Sequence, residues 1–144
     1  MLKLLPILFF AAVNISQISI FEIDGIFSNG HINAIQRYVD ENDLRESNLF
    51  VIQYNASDTS ENSVTELQEL LKDIKTPKAI WVGPNETIVD AGLLKSFDYV
   101  GISPGTTIIN KLSNNEFEFL DQEGIYEGYM VVGSIGAFIE NLGS

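Results

Sequence analysis

The feature that most constrains the fold of this chain is the alternation of short apolar segments with segments of helical periodicity. Residues 49–54 form a nearly continuous apolar run that is interrupted only by Gln53. A run of this kind is typical of a parallel strand that is buried on both faces of its sheet. Farther along, Leu67, Leu70 and Leu71 fall on one face of a helix. A strand followed by such a helix is the repeating unit of a parallel α/β sheet.

The same alternation covers most of the 144 residues, which are enough for one domain. The apolar and β-branched runs predict strands at residues 18–23, 49–54, 79–82, 99–102 and, late in the chain, 117–120. The periodic segments predict helices at residues 31–42, 63–74, 88–95 and 134–142. Turns or polar loops are predicted at residues 24–25, 43–48 and 55–62. This order implies a mostly parallel sheet that is flanked by helices.

The first residues have the pattern of an export signal. Lys3 supplies a positive charge ahead of an apolar run at residues 4–13. This run is too short to cross a bilayer, which needs about 20 residues. We therefore predict a signal peptide or N-terminal anchor at residues 1–19 and a domain at residues 20–144. The protein is then periplasmic, extracellular or membrane-associated. A buried first strand is the competing interpretation.

Composition excludes several classes of function. The formal net charge is −12, from 20 acidic and 8 basic residues, and such a surface repels the phosphates of nucleic acids. The simplest role of this charge is solubility. The chain has no cysteine and one histidine, His31, so disulfides, thiolate chemistry and a zinc site of His and Cys ligands are excluded. No cofactor is predicted.

Five segments, taken in order, carry a family resemblance. They are IDGI at 23–26, LFVIQY at 49–54, PKAIWVGP at 77–84, DAG at 90–92, and FDY at 97–99 followed by SPGTTI at 103–108. Together they resemble the NfeD-type membrane-bound serine proteases of the ClpP class, in the ClpP/crotonase superfamily. The likeness covers most of residues 20–110. It implies a truncated ClpP/crotonase-like fold, in which a helical region after residue 109 is deleted.

The resemblance also identifies the position of the family nucleophile. Where the family has Ser-Ala-Gly, this chain has Asp90, Ala91 and Gly92. A carboxylate cannot act as an activated hydroxyl, although carboxylates are nucleophiles in other enzyme classes. Asp is favoured at the start of a helix, so we predict that Asp90 caps the helix that follows.

Two further family elements are missing. The family's Thr-Pro-Gly-Gly turn, whose N–H groups stabilise an oxyanion, is replaced by Asn55, Ala56, Ser57 and Asp58. The family's lysine base has no counterpart, because Lys111 fits no corresponding pattern. We therefore predict no catalytic residue and no metal. The degenerate site would have a substrate-binding rim of six residues, namely Asn55, Ala56, Ser57, Asp90, Ala91 and Gly92.

Other polar residues have both a functional and a structural interpretation. His31 could be a general base, but a histidine at the start of a helix is the simpler interpretation. Ser96 and Ser103 lie in no Gly-x-Ser-x-Gly elbow, so turn-forming roles are favoured. Trp81 is expected to pack in the sheet. Five carboxylates near predicted strand ends could bind a divalent cation or form a solvated rim: Asp24, Asp58, Glu86, Asp90 and Asp98.

These observations predict a non-catalytic, exported protease homologue that acts as a binding or scaffolding domain. Self-association or a membrane-protein partner is expected, since folds of this superfamily commonly form oligomers. One alternative is an active hydrolase, serine-protease-like or metal-assisted, with a rearranged site. The other is an unrelated small secreted α/β binding protein, which a structure without a parallel sheet would select.

Overall fold

The computed structural model describes residues 17–41, 48–60, 62–85, 87–110, 116–120, 122–126 and 128–143. In chain order the elements are β1 (Ile18–Phe27), α1 (Asn29–Glu41), β2 (Leu49–Thr59), α2 (Ser63–Lys72), β3 (Lys78–Val82), β4 (Ile88–Asp90), α3 (Ala91–Leu94), β5 (Tyr99–Ile102), β6 (Thr106–Asn110), β7 (Glu116–Leu120), β8 (Gly124–Tyr126), β9 (Tyr129–Val131) and α4 (Ile135–Leu142). Most of the predicted leader, together with Glu86 and Lys111, lies outside the described residues. No helix in the described ranges is long and apolar enough to cross a membrane.

One large sheet organises the molecule. Six strands lie in the order β1-β2-β3-β5-β9-β8, and every neighbouring pair is parallel except β9 with β8. A smaller sheet has the order β4-β6-β7, with β4 parallel and β7 antiparallel to β6. The predicted α/β fold, a mostly parallel sheet flanked by helices, is confirmed. The alternative of an unrelated small binding protein is tied to a structure without a parallel sheet, and this structure has one.

The two faces of the large sheet are covered by different helices. Successive side chains of a strand point to opposite faces. Along β2, Phe50 and Ile52 join a cluster that contains buried residues of α1, α2 and α3. Leu49 and Val51 join a second cluster with α4. Each strand residue is therefore buried whichever way it points, which explains the continuous apolar run in the sequence.

The α4 face depends on a close approach between a helix and the sheet. Gly101 of β5 lies under the ring of Phe138, and a Cβ at that position would lie 2.4 Å from the ring. Trp81 is 1% exposed on the same face, as predicted, and its indole N–H donates to the Val132 carbonyl (3.2 Å). The backbone at residue 101 must lack a side chain for α4 to pack at this distance.

The structure corrects several predicted boundaries. β1 continues through residues 24–25 to Phe27, with a register shift against β2 between Gly25 and Ile26, where Gly25 has φ +72°. Ile18 and Ser19, inside the predicted leader, are already paired in the sheet.

The predicted helix at residues 88–95 is wrong for its first three residues, which form β4. Pairing with β6 and a strict alternation, with Val89 buried and Ile88 63% exposed, explain this strand.

Candidate functional site

A cleft of about 320 Å³ opens where the carboxyl end of β2 faces the small sheet. The carboxyl ends of parallel strands are where α/β sheets form binding sites. The lining residues come from β2, the start of α2, the β4 segment and β6: Tyr54, Ala56, Ser57, Asp58, Thr59, Val64, Thr87, Ile88, Val89, Asp90 and Ile109. We take this cleft as the candidate functional site.

The extra length of β2 forms one wall of the cleft. Pairing between β2 and β3 ends at Tyr54, whose carbonyl accepts from the Gly83 N–H (2.9 Å). On its other side β2 stays paired with β1 as far as Thr59. Residues 55–59 therefore have a strand on one side and the cleft on the other. The predicted polar loop at 55–62 is wrong for these five residues, because pairing with β1 holds them extended despite their polar side chains.

Asp90 lies at the opposite wall and caps α3. Its side chain accepts a hydrogen bond from the Gly92 N–H (3.0 Å), so the predicted capping role is confirmed. The Gly92 carbonyl in turn accepts from the Gln68 side chain of α2 (2.8 Å). These two bonds fix the turn at the start of α3, and Asp90 lines the cleft there.

Among the described lining residues, Thr87 and Tyr54 are buried and carry hydroxyl groups, and the more deeply buried of the two is Tyr54. It is 1% exposed, and its hydroxyl shares a hydrogen bond with that of Thr59 (2.9 Å). Burial raises the pKa of Tyr54 above its ordinary value, because it disfavours the charged phenolate. The hydrogen bond to Thr59 opposes this pKa shift, whereas the negative charges of Asp90 and Asp58 add to it. The cleft therefore has a negative electrostatic potential at the tyrosine ring.

The six predicted rim residues divide into two groups. Ala56, Ser57 and Asp90 line the cleft. The other three lie beside it and hold its walls. Asn55 donates to the Asp24 carboxylate (3.2 Å) and accepts from the Asn85 N–H (3.4 Å), which joins the carboxyl ends of β1, β2 and β3. Ala91 and Gly92 form the first turn of α3.

The structure assigns local roles to the other polar candidates. His31 lies in the first turn of α1, where its Nδ1 accepts from the Ser28 N–H (3.4 Å). Ser103 is buried in a turn, with its carbonyl accepting from the Thr106 N–H (3.2 Å). Ser96 donates its N–H to the Leu93 carbonyl (3.0 Å) after α3. None of the three lines the cleft.

The predicted carboxylate cluster does not form among the described residues. Asp98 precedes β5 and accepts from the Lys78 N–H at the start of β3 (2.9 Å), so it lies at the amino edge of the sheet. Asp24 is bonded to Asn55. In the part of the chain that the structure describes, no three His, Asp or Glu residues are grouped to hold a metal ion. Of the four predicted carboxylates that the structure describes, Asp58 and Asp90 line the cleft.

Several lining residues were not singled out from the sequence. Tyr54 and Thr59 belong to β2, and Thr87 and Ile109 lie at positions for which no element was predicted. One signal was available for Tyr54, because it ends the apolar run at the carboxyl edge of a predicted strand. Nothing local marks Ile109, because it reaches the cleft only through the pairing of β6 with β4.

No protein-family model and no curated protein sequence matches the chain. Solved structures do match it. The 1510-N membrane protease specific for a stomatin homologue from Pyrococcus horikoshii has a TM-score of 0.68 at 13% identity, over 85% of this chain and 77% of that one. A serine-to-alanine mutant of the 1510-N membrane-bound stomatin-specific protease has a TM-score of 0.55 at 17% identity, over 64% of this chain and 46% of that one.

A third match is an enoyl-CoA hydratase from Mycobacterium tuberculosis, with a TM-score of 0.50 at 15% identity over 69% of this chain. The chain spans about half the length of this hydratase and of the mutant protease, at 52% and 46%. At such identities the likeness shows the fold and not the chemistry. This chain has the mostly parallel α/β fold of ClpP-like membrane proteases and crotonase-like hydratases.

Proposed function

We propose that this chain is a non-catalytic member of the ClpP/crotonase fold that binds a polypeptide segment in the cleft. One observation carries the proposal: Asp90, which the sequence resemblance assigns to the position of the family nucleophile, is a helix cap and lines the cleft. An acyl-transfer site needs a hydroxyl there, next to a base and to N–H groups that receive an oxyanion.

The charges of the cleft oppose acyl transfer. The tetrahedral intermediate of peptide hydrolysis carries a negative charge, and preorganised donors or cations stabilise it. Here two carboxylates, those of Asp58 and Asp90, line the cleft instead. Ser57 supplies a hydroxyl, but no histidine or lysine is among the lining residues of the described chain. Such a site can bind a peptide without activating a nucleophile towards it.

The shape of the cleft favours a polypeptide ligand. Residues 55–59 extend past the end of β3, so this part of β2 has no strand of the large sheet on its cleft side. An extended peptide can add to such an edge through main-chain hydrogen bonds, with its alternate side chains in pockets. A solved 1510-N mutant with a TM-score of 0.54 is itself in complex with a substrate peptide.

The test separates binding from cleavage. The purified chain is mixed with capped fluorescent peptides of apolar, basic and mixed sequence. We expect saturable binding by fluorescence anisotropy and no cleavage above buffer by mass spectrometry. Cleavage that is abolished by Asp90→Ala, but retained in a surface variant with the same free energy of unfolding, would overturn the non-catalytic part. The absence of binding to every peptide would overturn the binding part.

An active hydrolase with a rearranged site is the second candidate, and the hydroxyl of Ser57 in the cleft favours it. Ser57→Ala provides its test. If the chain cleaves peptides and this substitution abolishes cleavage while binding persists, Ser57 is the nucleophile and this candidate replaces the first.

Export and association complete the proposal. Export rests on the predicted leader, and mass spectrometry of the exported protein would give its first residue. Retention of an intact leader inside the cell would contradict cleavage and export.

Self-association rests on β1, an edge strand with Ile20 and Ile26 exposed by 47% and 62%. Light scattering with chromatography measures it, and a monomer at micromolar concentration would contradict it.

A further inference from the structure

The cleft separates apolar from acidic groups in a way that selects one kind of side chain. Val64, Val89 and Ile109 contribute alkyl groups to its lining, and Asp58 and Asp90 contribute carboxylates. Among the described residues that line it, none is basic. A long side chain with an alkyl stem and a charged head satisfies both parts at once, because the stem packs against apolar groups while the head keeps its polar contacts.

Each carboxylate has one oxygen engaged by the protein. Asp90 Oδ1 accepts from the Gly92 N–H (3.0 Å), and Asp58 Oδ1 accepts from the Thr59 N–H (2.8 Å). Within the described part of the chain, no further hydrogen bond or ion pair involves either Oδ2. The internal bonds therefore fix both groups and leave one oxygen of each as an acceptor for a ligand.

The negative charge of the two carboxylates also acts on the tyrosine below the cleft. Tyr54 is buried, and both carboxylates act on its hydroxyl strongly enough to add to the rise of its pKa. The potential of two carboxylates thus extends into the buried part of the cleft, where it is screened less than at the surface. A cationic group that enters the cleft is attracted by both carboxylates.

We infer that the cleft binds a polypeptide segment through a lysine or arginine side chain, with the stem on the apolar wall and the head bound by Asp58 and Asp90. This inference rests on the proposed function, because it names the class of peptide that the cleft selects. It predicts a preference for basic peptides that depends on the cleft carboxylates, beyond the general attraction between cations and a chain of net charge −12.

The test uses three capped peptides that differ at one position. Lysine is compared with norleucine, which keeps most of the stem without the charge, and with glutamate. We expect the lysine peptide to bind on the order of tenfold more tightly than the norleucine peptide at low salt. The double variant Asp58→Asn, Asp90→Asn removes both charges, and Asn is as good a helix cap as Asp. In this variant the preference should vanish while the affinity for the norleucine peptide persists.

Matched controls separate the local effect from net charge. Glu140 is an exposed residue of α4, on the other face of the sheet. Glu140→Gln removes one charge there and should leave the preference for the lysine peptide unchanged. Equal binding of the lysine and norleucine peptides to the unmodified chain would overturn the inference but not the proposed function. If free pentylamine binds as tightly as the lysine peptide, the cleft selects amines without a peptide, and the polypeptide part is wrong.

Discussion

The two faces of the large sheet show different relations between packing and function. The face under α1, α2 and α3 ends in a polar cleft, and its buried residues include Tyr54 with a hydrogen-bonded hydroxyl. The opposite face is covered by one helix of eight residues, α4, through Phe138 and Leu142. Among the described residues the α4 face is closed by apolar packing, whereas the cleft face leaves the polar side chains of Ser57 and Asp58 exposed.

The largest effect is expected at the centre of the α4 face. Phe138 is fully buried against Gly101, so Phe138→Ala should lower the free energy of unfolding by about 3–5 kcal/mol. Leu67→Ala in α2 provides the matched substitution on the cleft face. Denaturant titration gives both values, and hydrogen exchange should show α4 opening only in the Phe138 variant. Equal protection of the α4 amides in both variants would contradict the difference between the two faces of the sheet.

Gly101→Ala should have the next largest effect. The new methyl group would meet the Phe138 ring at 2.4 Å, so either the ring or α4 must move, at a cost of about 1–3 kcal/mol. Gly25→Ala is the control, since its Cβ meets nothing within 4 Å and only the backbone conformation at φ +72° is disfavoured. In a double-mutant cycle, Gly101→Ala should lower the free energy of unfolding much less when Phe138 is already replaced by Ala. Strictly additive effects would contradict the proposed close contact.

Asp90→Ala tests the cleft face itself. The loss of the cap to Gly92 should lower the free energy of unfolding by about 1 kcal/mol, whereas Asp90→Asn should leave it nearly unchanged. Thermal and denaturant unfolding measure both variants. If Asp90→Asn is as destabilising as Asp90→Ala, the charge of Asp90 and not its hydrogen bond stabilises the turn.

The smallest effect is expected on the titration of Tyr54. Its folded-state pKa is raised above the ordinary value of about 10, first by burial and then by Asp90 and Asp58. The stability that it contributes is therefore present below about pH 10 and is lost as the pH rises through the folded-state pKa. Asp90→Asn should lower the pKa of Tyr54 towards its ordinary value. Ultraviolet titration, with Tyr54→Phe to assign the signal, measures this change, and an unchanged pKa would contradict the electrostatic contact.

The sequence predicted the fold better than the site. Long periodic segments such as α2 and the apolar run of β2 carry their own signal, because burial on both faces requires it. β4, β8 and β9 have three residues each, too few for a periodic signal. β4 depends on pairing with β6, and the β8–β9 hairpin joins the sheet through the pairing of β9 with β5, which no local pattern encodes. The cap at Asp90 was predictable from helix chemistry. The extension of β2 was not, because polar side chains at residues 55–59 resemble a loop until β1 pairs with them.

The register shift between Gly25 and Ile26 decides which side chains of β2 reach the interior. Ser57 is the inserted residue: Ala56 pairs with Gly25, Asp58 with Ile26, and Thr59 with Phe27. In unbroken alternation Asp58 would point the same way as Tyr54. The insertion reverses this parity, so that Thr59 meets the tyrosine hydroxyl while Asp58 stays exposed at the cleft and does not point into the core. A β2 strand that kept this serine in regular pairing, without the bulge, would exchange the orientations of Asp58 and Thr59 and bring an acid against the aromatic core.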